Sequence, residues 1–197
     1  MEVRIVLRAL DLDMATAWRE AFDKVANVDI QVGDILKATA DAIVSPSNSF
    51  GYMDGGIDSA YRGFFGVEIE SRLREHIGTM HEGELPVGQA VVLETGHSAI
   101  PFLVAAPTMR VPTNIDDTVN VYLAFRAALL AVRRHNESSG YSIQSLLAPA
   151  FGTGVGGMNY ARAARQMAAA YRAVVLGERR HLADTRSVWR HHHELLR

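Results

Sequence analysis

Short apolar runs alternate along the chain with stretches in which apolar residues recur every three or four positions. Val3–Leu7 is a β-branched run that predicts a strand. In Asp11–Ala26, the residues Leu12, Ala15, Trp18, Ala21, Phe22 and Val25 fall at helical spacing. Val28–Val32 and Ala42–Ser45 predict two more strands, parted by Gly33-Asp34, and Pro46 ends the second. Ile57–Phe65 and Ile69–Met80 read as helices, and Ala90–Glu94 and Phe102–Ala106 as strands bounded by Gly or Pro. Val121–Arg134 gives the clearest helix, with Arg133 and Arg134 in its last turn, where cations suit the helix dipole. Ser145–Ala150 predicts an apolar strand and Met158–Val175 a closing helix. Strands that are apolar along their whole length and alternate with helices need cover on both faces. The expectation is an α/β fold: a three-layer α/β/α sandwich around a central mixed, largely parallel sheet. It forms one domain over residues 1–197, with 178–197 a helical or flexible tail.

Composition narrows the function. Hydrophobic residues make up 48% and charged residues 21%, a balance that builds a core and excludes a disordered or collagen-like chain. No apolar run approaches the roughly 18 residues a membrane helix needs. Cysteine is absent, which removes disulfides, thiolate catalysis and cysteine-ligated metal sites. Asp11 and Asp13 come early with no signal-like apolar stretch before them, so a cytoplasmic protein is expected. The net charge of −2 gives no general attraction to nucleic acid. It is unevenly spread, because residues 161–197 hold eight Arg against Glu178, Asp184 and Glu194. A solvated helix surface is the favoured reading of such an end, and a polyanion site the rival.

The candidate chemistry sits in two glycine-rich turns. The first runs from the strand Ala42–Ser45 through Asn48 and Gly51 to Gly55-Gly56-Ile57-Asp58, where a helix opens. A helix N-terminus beside exposed N–H groups is a natural phosphate site, and glycine lets a ligand approach the backbone. Plain turn-forming glycines and a turn-capping Asn48 are the simpler alternative. The second turn is Gly152-Thr153-Gly154-Val155-Gly156-Gly157, between an apolar strand and a helix. Its density of glycine exceeds what a turn requires and suits a nest of amides around a diphosphate. No Lys follows the glycines, so this is not the ATP-binding P-loop. The literal G-x-G-x-x-G, with Glu178 beyond it, matches a dinucleotide fingerprint, but too little chain remains to complete that domain.

Taken in order, these blocks resemble the macrodomain family, the α/β/α module that binds ADP-ribose. The likeness extends from about Val28 to the closing helix. Gly33-Asp34-Ile35 resembles the family's Gly-Asp-Ile, Asn48 with Gly55-Gly56-Ile57-Asp58 its first binding loop, and Gly152–Gly157 its second. The resemblance implies that Asp34 accepts from the adenine amino group, with Ile35 as backbone support, and that Asn48 bonds the distal ribose. Gly55, Gly56 and Ile57 would hold the diphosphate from one side, and Gly152, Thr153, Gly154, Val155, Gly156 and Gly157 from the other. Asp58 follows the glycine pair as in the MacroD-type hydrolytic branch, where such an Asp is proposed to activate water at the anomeric carbon. Asn48 and Asp58 are therefore the implied catalytic pair. Three departures suggest a divergent bacterial-type branch: Ser45-Pro46-Ser47-Asn48 in place of Asn-Ala-Ala-Asn, the insert Phe50–Met53, and Gly156 where an aromatic is common. Phe50, Tyr52, Phe151 and Tyr160 are the candidates for a replacement aromatic wall.

The implied function is removal of mono-ADP-ribose from a protein side chain, with an ester to Glu or Asp preferred. A non-catalytic ADP-ribose reader and an O-acetyl-ADP-ribose deacetylase are the alternatives. A nucleic-acid or protein interaction module built on the basic end ranks third. No cofactor or metal is called for; the partners are ADP-ribose and ADP-ribosylated proteins, with nucleic acid not favoured, no membrane, and a monomer expected. His191, His192 and His193 are consecutive and cannot converge on one metal. His76, His81, His97 and His135 lack paired spacing, and Ser47 and Ser49 have no base nearby in sequence. Trp18 and Trp189 are expected to pack outer helices, and Met53 and Met158 to form flexible cleft walls.

Overall fold

Six strands form one sheet in the computed structural model, which describes residues 3–179 and 183–197. They are β1 (Arg4–Ala9), β2 (Val28–Val32), β3 (Ala42–Ser45), β4 (Val91–Glu94), β5 (Phe102–Ala105) and β6 (Ser145–Ala148). Their order is β2-β1-β6-β3-β5-β4, parallel throughout except for β4, which pairs antiparallel with β5 at one edge. Helices α1 (Leu12–Ala21), α2 (Gly56–Phe65), α3 (Glu68–Met80), α4 (Asn120–Ser138), α5 (Tyr160–Val174) and α6 (Thr185–Leu196) complete the fold.

The alternation of side chains along each strand divides the core in two. Ile5, Leu7, Val44, Val104 and Leu146 pack with Trp18, Phe125, Met167 and Tyr171 beneath α1, α4 and α5. Val6, Ile43, Leu103 and Leu147 face the other way, onto Tyr61, Ile69, Leu73 and Ile77 of α2 and α3. The result is the expected three-layer sandwich with a mixed, largely parallel sheet. Leu195 brings α6 onto the first of these layers, and Gln166 Nε2 ties the two helices by donating to the Leu195 carbonyl at 3.0 Å.

Local signals decide where the elements stop. The first helix begins after Asp11, whose side chain accepts the Asp13 N–H at 2.8 Å, and it ends at Ala21 rather than Ala26. Lys24 and Asn27 beyond it adopt positive φ, which a continuing helix excludes. Strand β6 stops before Pro149, which has no N–H to donate. Asn159 caps α5 by accepting the Arg162 N–H at 2.8 Å, so Met158 lies outside that helix. Helix α4 runs four residues past the expected Arg134, and His135 rests against the Phe102 ring with centroids 4.8 Å apart. A 3-10 turn at Ile35–Lys37 was not anticipated. Within the 178–197 tail, α6 is helical, whereas residues 180–182 lie outside the described residues.

Some side-chain expectations need correction. Met53 and Met158 are buried in the core, so neither is a mobile cleft wall. Trp18 packs as expected, but Trp189 is 61% exposed and stacks on His193 instead of seating a helix. Two arginines of the basic end serve the fold: Arg172 donates to the Ala21 carbonyl at 3.3 Å, and Arg162 pairs with Asp116 at 2.8 Å. No helix among the described residues is long and apolar enough to cross a membrane.

Candidate functional site

The parallel strands β1, β2, β3, β5 and β6 all end at one edge of the sheet, and the loops that follow them surround a cleft of about 390 Å³. The carboxyl ends of parallel strands are where open α/β sheets bind ligands, and this volume suits a nucleotide-sized molecule. Asp34 and Ile35 reach it from the end of β2, and Asn48 from the end of β3. Gly55, Gly56, Ile57 and Asp58 enter at the start of α2, and Gly152, Thr153, Gly154, Val155 and Gly156 follow β6. Gly157 does not line the cleft. It turns the chain at φ 66°, where a Cβ would stand 2.6 Å from the Asn114 side chain.

Side chains build the first loop. Asn48 Oδ1 accepts the N–H groups of Phe50 and Tyr52 at 3.1 and 3.3 Å, while its Nδ2 donates to the Tyr52 carbonyl at 2.8 Å. Asn48 thus folds the loop it was expected to serve as a ligand group, although it still lines the cleft. The loop also continues the β3–β5 pairing, through Thr108 N–H to the Ser47 carbonyl and Ser49 N–H to the Met109 carbonyl. Gly55 begins α2 with no side-chain cap, so the first-turn N–H groups of residues 56–58 have no protein acceptor. Such donors favour an anion.

Asp58 lies on that first turn, only 7% exposed, and Ser45 Oγ donates to its Oδ1 at 2.6 Å. Burial pushes the carboxyl up to about 6, against the opposing pull of the Ser45 hydrogen bond. The fully buried Tyr61 lies beneath, donating to the Val44 carbonyl at 3.3 Å. Its hydroxyl is pushed up by burial and, secondarily, by the Asp58 charge. A carboxyl group that titrates near neutrality at the wall of a cleft can take a proton from a bound water.

Missing side chains shape the second loop. Gly152 has φ 69°, and a Cβ there would meet Val121 and Ile115 at 2.7 and 2.9 Å. A Cβ on Gly156 would stand 2.5 Å from the Gly152 carbonyl oxygen, so no aromatic can occupy that position in this loop. The turn closes through Gly157 N–H to the Gly154 carbonyl, Met158 N–H to Gly152, and Ile115 N–H to Gly156. The N–H groups of residues 153–156 make no backbone hydrogen bond. With the start of α2, they give two sets of unpaired amides on one cleft, the requirement for a diphosphate cradle.

Asp34 Oδ1 accepts the Leu36 N–H at 3.0 Å, which caps the 3-10 turn and leaves Oδ2 for a ligand. Among the aromatic candidates, Tyr52 and Tyr160 line the cleft, whereas Phe151 is buried against Phe125 and Phe50 lies outside the lining. Tyr160 donates to Asp11 Oδ2 at 2.7 Å, closing the end of the cleft between α5 and the β1–α1 turn. That bond is the main reason the Asp11 carboxyl is lowered and the Tyr160 hydroxyl raised. Sequence reasoning missed Arg8, Asp11, Ser47 and Thr108, which also line the cleft. Ser47 has no base beside it in sequence, yet its Oγ is buried at the wall with no partner. The only signal for Arg8 in the sequence is its place directly after the apolar run Ile5–Leu7. Among the described residues, no cluster of three or more His, Asp or Glu could hold a metal.

Comparison with known proteins agrees with the geometry. The family model described as Macro domain matches residues 44–167. An uncharacterised protein of Aeropyrum pernix is 36% identical over 141 residues, covering 72% of this chain and 68% of the relative. The macrodomain of Mycobacterium tuberculosis DarG superposes with a TM-score of 0.60 at 21% identity, over 72% of this chain and 88% of that one. A variant of the Oceanobacillus iheyensis macrodomain with ADPR gives a TM-score of 0.58 at 23% identity, over 71% and 74% of the two chains. The chain belongs to the macro domain family.

Proposed function

From that membership we propose that the cleft binds ADP-ribose and that the protein releases it from a modified side chain, an ester to Glu or Asp being the preferred linkage. The diphosphate lies between the free N–H groups at the start of α2 and those at residues 153–156. The adenine amino group meets Asp34, and the distal ribose lies beside Asn48 and Asp58. The observation that carries the reading is Asp58, a buried carboxyl at the wall of the cleft that both sets of free amides also line.

In the reaction, water forms a bond to the anomeric carbon while the bond from that carbon to the ester oxygen breaks. Asp58 takes the proton of the water, and the side-chain carboxylate leaves with the electron pair. Such a leaving group departs without a proton, so one base is enough, and this supports the ester linkage over an amide or ether. General-base assistance typically contributes about 10²–10⁴-fold.

Calorimetry with ADP-ribose, AMP and NAD tests the binding step. Binding of ADP-ribose near micromolar, about −8 kcal/mol, is expected, with both rivals weaker; no binding overturns the proposal. Asp58→Ala is expected to abolish release of ADP-ribose from an ester-modified protein while changing affinity only a few-fold. Turnover retained in that variant removes the catalytic role. The hydrogen bonds that engage Asn48 within its own loop favour a second reading, a non-catalytic ADP-ribose reader. Failure of the wild type to release ADP-ribose from any linkage would support it.

A further inference from the structure

Helix α6 has an outer face that the cleft does not use, since none of its residues lines that cavity. Leu195 is buried, and His191 rests against the Tyr122 ring with centroids 5.3 Å apart. These two mark the side turned to the protein. At about 100° per residue, Arg186, Trp189, Arg190, His193 and Arg197 fall together on the opposite side. All five are exposed. The rise of the helix spreads them over roughly 16 Å.

Charge and stacking set this face apart from an ordinary solvated helix. The chain carries a net −2, yet Thr185–Arg197 holds three arginines against the single acid Glu194. None of the three forms an ion pair among the described residues, although Asp184 at the helix start feels the charge of Arg190. Among them Trp189 is 61% exposed, its ring tilted 34° to that of His193 with centroids 5.4 Å apart. A tryptophan is seldom left this open unless something binds it. Val188 is the only other exposed large apolar residue of the helix, too little for a stripe that enters a membrane.

We infer that this face of α6 binds single-stranded nucleic acid, as a second function apart from the cleft. Phosphates meet Arg186, Arg190 and Arg197, and one base stacks on Trp189. Single strands are held in this way by cationic tracks that carry aromatic side chains, because every base offers a π face. A duplex keeps those faces inside its own stack and offers the helix its phosphates only. A polyglutamate answers the arginines but leaves Trp189 without a partner. The polyanion reading of the basic end is thus confined to one helix face, since Arg162 and Arg172 serve the fold.

The test is fluorescence anisotropy of a labelled oligothymidine with the full chain over a range of salt, with melting temperatures to confirm folding. The wild type is expected to bind the single strand tighter than a duplex of equal length. Trp189→Ala and Trp189→Leu are both expected to weaken binding about tenfold, and Trp189→Phe to keep most of it. Leucine keeps apolar bulk without a π face, so it separates stacking from plain hydrophobic contact. Replacing Arg186, Arg190 and Arg197 together by Gln should flatten the slope of log K against log salt by about two. The affinity for ADP-ribose should stay at the wild-type value in every variant. No binding at low salt, unchanged affinity in Trp189→Ala, or full retention in Trp189→Leu overturns the inference. So does equal binding of the duplex, of polyglutamate or of anionic vesicles, or a parallel loss of ADP-ribose affinity.

Discussion

The two loops that face each other across the cleft are built by opposite means. The first is held by polar side chains: Asn48 folds it, and Ser45 fastens Asp58 at the start of α2. The second is held by the absence of side chains, with Gly152, Gly156 and Gly157 packed where any Cβ would strike a neighbour. Both leave N–H groups open to an anion, but only the first brings an ionisable group to the wall. In the proposed function, grip is therefore shared between the loops, while the chemistry falls to one of them.

That division can be broken from either side, and the largest effect is expected at Asp58. Asp58→Asn should lower turnover at least about a hundredfold and leave ADP-ribose affinity within a few-fold. In the wild type, kcat/KM should fall about tenfold per pH unit below about 6, where Asp58 takes up its proton. The stability effect has the opposite sense. The folded-state value lies above the ordinary 3.8, so the folded protein binds more protons between about pH 4 and 6, and stability declines as pH rises through that window. A shift of this size is worth roughly 2–3 kcal/mol. Asp58→Asn should therefore melt higher than the wild type at pH 7.5 and level with it near pH 3.5, as followed by calorimetric melting. Equal melting at both pH values would show that burial does not strain this carboxylate.

The second loop should answer to bulk alone. Gly156→Ala forces a Cβ against the Gly152 carbonyl at 2.5 Å. It should cost about 1–3 kcal/mol in overpacking strain, visible in urea unfolding, and weaken ADP-ribose at least about tenfold without moving the pH profile. Asn48→Ala, in the first loop, removes the hydrogen bonds to Phe50 and Tyr52 that fold it and should destabilise by about 1–2 kcal/mol. If Asn48 also touches the ribose, its effect on affinity will exceed its effect on stability. The smallest effect belongs to Gly154→Ala, where nothing lies within 4 Å of the new methyl. Its unfolding free energy should match the wild type within about 0.5 kcal/mol; a large loss there would mean that the loop is tighter than its glycine packing indicates.

Much of this was legible from local pattern. Apolar strands alternating with helices announced the layered sheet, and Gly55-Gly56 and Gly152–Gly157 marked the turns that line the cleft, Gly157 excepted. The reading weakened where a residue's role depends on distant partners. Met53 and Met158 border the two loops in sequence, yet packing drew both away from the cleft, whose lining takes in the likewise buried Met14 and Met109. Trp18 and Trp189 carry the same propensity, and only the first finds a hydrophobic slot.

By itself, the order of residues determined the elements, the layered class and the glycine turns, because periodicity and backbone freedom act over a few neighbours. Tertiary structure alone decided that β1, from the first residues of the chain, lies between β2 and β6 and so carries Arg8 into the cleft. It also decided that Ser45 meets a buried Asp58, and that Asn48 turns back on its own loop. Burial, hydrogen-bond partnership and the pKa that follows from them are properties of what surrounds a side chain, and strand pairing across more than a hundred residues supplies those surroundings.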